Sequence, residues 1–298
     1  MKFKGNTSSK ILFVVALVFA GLFAASAIMA IVRHAGIDEH SRGFLLTLSA
    51  VQNIVGFILP VVAGTFIMSA QPWSSLRLRG GLSWQAVGIV AVMYLLSLPA
   101  MNYIVDWNAS VALPGGMSGI EQWMKQAEEL AQRMTDTMLG SDRFGTMLVA
   151  LLVVGILTAV GEELLFRGSL LGICLDRPMN QHLAVIAIAF LFSAVHFQFY
   201  GFVPRLLLGI WLGYLMVWTQ SVWVPVLAHA LNNGMVVVMT YLNHKGIADL
   251  HAFNALGVDS GSYPAWALAS AVATVLFFAV ARRALTAETR RKAAAVKP

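Results

Sequence analysis

The sequence predicts an all-α, polytopic membrane protein of about eight transmembrane helices enclosing an intramembrane polar cavity. Three observations lead there. Of 298 residues, 58% are apolar and only 11% are charged, against about 25% charged in soluble domains. Eight apolar stretches, at about 11–32, 44–68, 86–104, 145–166, 183–200, 205–219, 222–241 and 263–281, span or nearly span a bilayer, which takes about 20 helical residues. A few ionisable side chains nevertheless lie inside these stretches. Each costs about 2.5–3.5 kcal/mol at membrane depth on insertion scales, so each needs a polar interior to face.

The elements follow in order. Lys2, Lys4 and Lys10 precede an apolar run with small residues Ala24 to Ala27, as in a signal peptide. The run continues to Val32, beyond the roughly 7–15 residues of a signal core, so a retained first helix is expected. Pro60 in the second stretch and Pro225 in the seventh should kink or start a helix, and Pro225 stands one turn before His229. The loop at about 105–144 carries Ile120, Trp123, Ala127, Leu130 and Met134 at helical spacing, with Glu121, Lys125, Glu128, Glu129 and Arg133 largely between them. That pattern predicts an amphipathic helix, either on the outer membrane surface or as a lid over the bundle. The 205–219 stretch is short of a span and should be tilted, extended or buried. Gly168 with Gly172, and Gly209 with Gly213, are small-x-x-x-small pairs suited to close helix approach.

Charge sets the expected topology. Most of the 20 lysines and arginines, among them Arg77, Arg79, Arg177, Lys297 and the cluster Arg282, Arg283, Arg290, Arg291 and Lys292, fall on one side if the N-terminus is cytoplasmic. Both termini then lie inside, and the net charge of +6 reads as topology and contact with anionic lipid, with no nucleic-acid partner. The single cysteine, Cys174, allows no internal disulfide. Three regions are expected: 1–144 with the N-terminal helices and the outer loop, 145–241 as the core carrying the polar groups, and 242–298 with the last helix and a basic tail.

The polar groups stand on three helices. Glu162, Glu163 and Arg167 interrupt an otherwise apolar run. Glu163 and Arg167 are four apart, share a face and can form an ion pair. Glu162 is rotated from them by about 100° and stays free of that pair. His196 follows Phe192 by one turn, and His229 and Asn233 are again four apart. A carboxylate with two imidazoles and an amide suits activation of water: the carboxylate takes the proton, and histidine or asparagine donates to a developing oxyanion. Glu162, His196 and His229 are equally a ligand set for a divalent metal such as zinc, although no His-Glu-x-x-His motif is present. Singly, each residue has a plainer structural use as clamp or interhelical bond. On the residues alone, a peptidase and a proton-coupled transporter both stay open, the latter without the inverted repeat or interrupted helix pair it would call for.

Glu162-Glu163-x-x-x-Arg167, Phe192-x-x-x-His196 and His229-x-x-x-Asn233, in this order on successive apolar segments within about 145–240, resemble the CAAX protease and bacteriocin-processing (CPBP, or ABI) family, which includes the type II CAAX prenyl endopeptidases. The resemblance implies an eight-helix intramembrane peptidase with a cavity opening towards membrane and cytoplasm. Carried over by position, Glu162 activates water and His196 assists it, while His229 and Asn233 form the oxyanion site. Glu163 and Arg167 support Glu162, and Phe192 belongs to the supporting set. The cofactor stays open between a divalent metal such as zinc, on Glu162, His196 and His229, and none. The implied partners are membrane lipid and a peptide or lipidated protein, cut near its C-terminus or within a membrane-associated segment. The alternative is a non-enzymatic bacteriocin-immunity or scaffold protein of the same fold. A bacterial plasma membrane is the expected location.

Overall fold

The computed structural model describes residues 5–176, 179–258 and 263–295. Lys2, Lys4, Arg177 and Lys297, used above for topology, lie outside them. The chain is 83% helical, with no strand among the described residues. Seven helices are long and apolar enough to cross a membrane: α1 (Thr7–His34), α2 (Arg42–Met68), α3 (Trp84–Ser110), α5 (Phe144–Leu175), α7 (Phe199–Thr219), α8 (Trp223–His244) and α9 (Ala265–Ala294). The amphipathic α4 (Ser118–Leu139) and the shorter apolar α6 (Gln181–Ala194) complete the set that positions the site. The protein is an integral membrane protein, and its surface shows why. Trp84 and Phe23 are 90% and 79% exposed, while Glu163 and Arg167 are fully buried.

Eight stretches are found, but the short one is not the one expected. The 205–219 stretch gains a leading helical turn, Phe199–Gly201, and reaches 21 residues. The stretch at 183–200 shrinks to 14, about 21 Å of helix at 1.5 Å per residue, against a hydrocarbon core of about 30 Å. The cause is local. The chain tightens after Ala194 through His196 N–H to Ser193 O and Phe197 N–H to Ala194 O. Phe197 then adopts φ 53°, the left-handed conformation that ends a helix and that bulky residues rarely accept. His196 therefore sits in a turn at the end of α6.

The glycine pairs behave differently from one another. A Cβ on Gly213 would stand 2.8 Å from Val185 Cγ1, and one on Gly209 3.1 Å from Ala189 Cβ, so this pair seats α7 against α6 as expected. Gly168 and Gly172 instead face the loop ahead of α3, with Leu76 3.5 Å and Arg77 Nη1 2.8 Å from the corresponding positions. That loop is pinned by Arg77, which donates from Nε to Gln220 Oε1 and from Nη2 to Asp176 Oδ1, both at 3.0 Å. Pro225 is the third residue of α8, where its missing N–H is harmless. The helix α1 is part of the bundle, with Val14 fully buried in a cluster that includes Val61 of α2 and Leu171 of α5. The amphipathic α4 lies over the bundle. Met134 and Met138 pack on Met29, Phe44 and Leu45, and Trp123 meets Phe199 at a ring separation of 5.1 Å.

Candidate functional site

Glu162 and Glu163 stand on a short α-helical stretch of α5, Thr158–Glu163, set between two π-helical stretches, Leu151–Leu157 and Leu164–Leu171. A third, Gln52–Ile58, lies opposite in α2. Such wider turns concentrate at functional sites, because they move side chains off the α-helical register and leave backbone groups for other partners. Asn53, buried in the α2 turn, donates from Nδ2 to Ser49 O at 2.9 Å and to Thr158 Oγ1 at 3.2 Å, while its Oδ1 is shielded and has no partner. Gly161 is packed against that oxygen: a Cβ there would lie 2.6 Å from it. Glycine at 161 therefore allows α2 to close behind Glu162.

The Glu163–Arg167 pair forms as the spacing predicts, at 2.7 Å from Nη1 to Oε1. Arg167 also donates from Nη2 to Gly209 O at 3.0 Å. Its guanidinium lies over the Phe192 ring, 4.5 Å from the centroid. The Phe192 ring in turn packs edge-on against both His196 and His229, with centroids 5.1 and 5.8 Å away. Phe192 thus links the ion pair to the histidines through one apolar face. Expected to support Glu162, Glu163 is instead bonded to His229: its Oε1 lies 2.8 Å from Nδ1. A helix-face count along α5 could not show this, because the partner comes from α8.

The two histidines are oriented alike. His196 Nδ1 lies 2.7 Å from Phe192 O, an acceptor only, so Nδ1 carries the proton and donates it. His229 Nδ1 faces the Glu163 carboxylate, again an acceptor, and donates likewise. Both rings therefore present Nε2 to the same place. That place is Glu162 Oε2, 3.9 Å from His196 Nε2 and 3.8 Å from His229 Nε2. Glu162 Oε2 is itself shielded from solvent without a hydrogen-bond partner. A buried carboxylate oxygen left unpaired is costly and calls for an explanation such as a water or a substrate group. Of the four residues expected to act directly, Glu162, His196 and His229 are brought together. Asn233 lies one turn along α8, where Nδ2 donates to Val154 O at 3.3 Å and Oδ1 accepts from Asn232. One N–H of its amide is thereby used and the other is left.

The metal reading can be compared with these distances. Tetrahedral ligands about 2.0–2.1 Å from zinc stand about 3.4 Å apart, closer than the 3.8 and 3.9 Å found here. Among the described residues no group of three or more His, Cys, Asp or Glu is arranged to hold a metal ion. The residues as placed do not fit one, and no step below passes through a metal.

Two further polar residues were not picked out from sequence. Asn53 carries the same signal as Asn233, an amide in an apolar run. Arg205 opens the 205–219 stretch, and the structure places it on the first α-helical turn of α7, within electrostatic reach of Glu162 and His196.

A largely buried carboxylate flanked by two imidazoles, beside a buried ion pair, thus stands within the helical bundle. Residues 144–235 match the family described as type II CAAX prenyl endopeptidase, Rce1-like. All three sequence motifs fall inside the match. No curated protein and no solved structure matches the chain.

Proposed function

We propose that the protein is an intramembrane endopeptidase in which Glu162 activates water against a substrate carbonyl. The observation that supports it best is the unpaired Glu162 Oε2 between two inward-facing Nε2 atoms. A water seated there donates to Glu162 and is oriented by His196, whose lone pair on Nε2 follows from its Nδ1–H bond to Phe192 O. Glu162 takes the proton as the water oxygen attacks and delivers it to the leaving amine. His229, held through Nδ1 by Glu163, donates to the oxyanion when its Nε2 carries a proton, and the free N–H of Asn233 is the second candidate donor. Glu163, Arg167 and Phe192 are positioning residues, since they touch the histidines or one another. Burial of Glu163 and Arg167 keeps water out of that support and fixes His229 against a rigid anion.

The proposed substrate is a peptide or lipidated protein, reached from the membrane, and no nucleic acid takes part. The lysine and arginine bias supports a placement with both termini cytoplasmic, in a bacterial plasma membrane. The test is cleavage of a fluorogenic prenylated CAAX peptide and a non-prenylated control by purified protein in liposomes. Wild type should cleave and Glu162→Ala should not, while both insert equally. Cleavage that survives Glu162→Ala would refute the peptidase mechanism and favour an immunity or scaffold role.

A further inference from the structure

We infer that Arg205 is the anchor for a carboxylate at the C-terminal end of the substrate, and that Glu128 of α4 screens this anchor in the substrate-free chain. The inference rests on the peptidase reading of Glu162. Arg167 has a carboxylate partner in Glu163, but Arg205 has none. Its guanidinium donates only to neutral groups, from Nη1 to Gln198 O at 3.3 Å and from Nη2 to Gln198 Oε1 at 2.9 Å. Among the described residues no carboxylate lies within ion-pair distance of it. Arg205 is nevertheless partly buried and close enough to act electrostatically on Glu162, His196 and Glu128. A partly buried cation without an anion is held at a cost, and this one lies within electrostatic reach of the carboxylate proposed to activate the attacking water.

Its position agrees with such a role. Arg205 precedes Gly209 by one turn of α7, and Gly209 O is bound by Arg167, five residues beyond Glu162 on α5, which runs parallel to α7. Arg205 and Glu162 therefore stand at one level of the bundle. On the far side, Gln198 Nε2 donates to Glu128 Oε1 at 3.4 Å, and Glu128 Oε2 is shielded without a partner. The Gln198 amide thus separates a cation from an anion that each lack a charged partner. A substrate carboxylate entering beside Gln198 would give Arg205 a planar, two-oxygen acceptor matched to its fork of N–H groups. A terminus fixed on Arg205 with the carbonyl at Glu162 also sets how far from the end the chain is cut.

The experiment compares a fluorescent farnesylated peptide ending in a free carboxylate with the same peptide amidated at its C-terminus. Cleavage is measured with wild type, Arg205→Met and Arg205→Lys, and binding with Glu162→Gln, which keeps the site without turning over. Wild type should prefer the acid in kcat/KM by about 10- to 100-fold. Arg205→Met should bring that ratio near one, Arg205→Lys should fall between, and Glu162→Gln should bind the acid more tightly. A wild-type ratio near one, an unchanged ratio in Arg205→Met, or equal binding of both forms by Glu162→Gln overturns the assignment. Preference for the acid in binding, with cleavage independent of Glu162, would keep the anchor and refute the peptidase reading instead.

Discussion

Adjacent glutamates should fail in opposite ways. Glu163 is fully buried and its Oε1 receives both Arg167 Nη1 at 2.7 Å and His229 Nδ1 at 2.8 Å. Glu163→Gln keeps the shape but removes the anion, leaving the Arg167 guanidinium buried without its counter-charge. Removing one partner of a buried pair costs about 3–5 kcal/mol, and the lost charge-assisted bond to His229 falls within the same loss. Glu162 accepts no hydrogen bond and carries an unpaired, shielded Oε2. Glu162→Gln should therefore change stability by no more than about 1 kcal/mol, and relief of an unpaired buried charge gives it a stabilising sign. The assay is the thermal unfolding midpoint of each variant in one detergent, beside peptide cleavage. Glu163→Gln should unfold several degrees lower, and Glu162→Gln should unfold like wild type yet be inactive. Equal destabilisation by the two changes would refute the assignment of support to Glu163 and chemistry to Glu162.

Three other outcomes follow from the same geometry. Gly161→Ala places a methyl 2.6 Å from Asn53 Oδ1, and overpacking of this kind costs about 1–3 kcal/mol; unfolding should reveal it, and Asn53→Ala should restore part of the loss. Arg167→Lys keeps a charge but cannot serve Glu163 Oε1, Gly209 O and the Phe192 face together. It should lower the unfolding midpoint and slow cleavage, and a variant indistinguishable from wild type in both would count against the clamp. Prolonged dialysis against a chelator should leave cleavage unchanged, whereas loss restored by added zinc would overturn the metal-free reading of Glu162, His196 and His229.

The candidate site was legible in unequal parts. Glu163 with Arg167 was readable because four residues on one helix is a local distance. Glu162, His196 and His229 stood out because charge and imidazole in apolar runs demand a polar interior. The Glu163–His229 bond was not readable, since the rotation of α8 against α5 appears in neither helix's own periodicity. Asn53 was passed over, and the π-helical turns that aim Asn53 and flank Glu162 have no composition signature in these Leu- and Val-rich runs.

The sequence by itself determined that this chain is an all-helical membrane protein, which apolar runs would form its spans, and which ionisable groups had to converge. Those conclusions follow from transfer free energy, which is a property of each segment alone. The tertiary structure decided where α6 stops, because a left-handed Phe197 shifts length from one apolar run to the next. It also decided which glutamate braces His229 and which is left unpaired, and it set Arg205 beside the site with Gln198 between it and Glu128. Each of these depends on the relative depth and rotation of separate helices, and packing sets both.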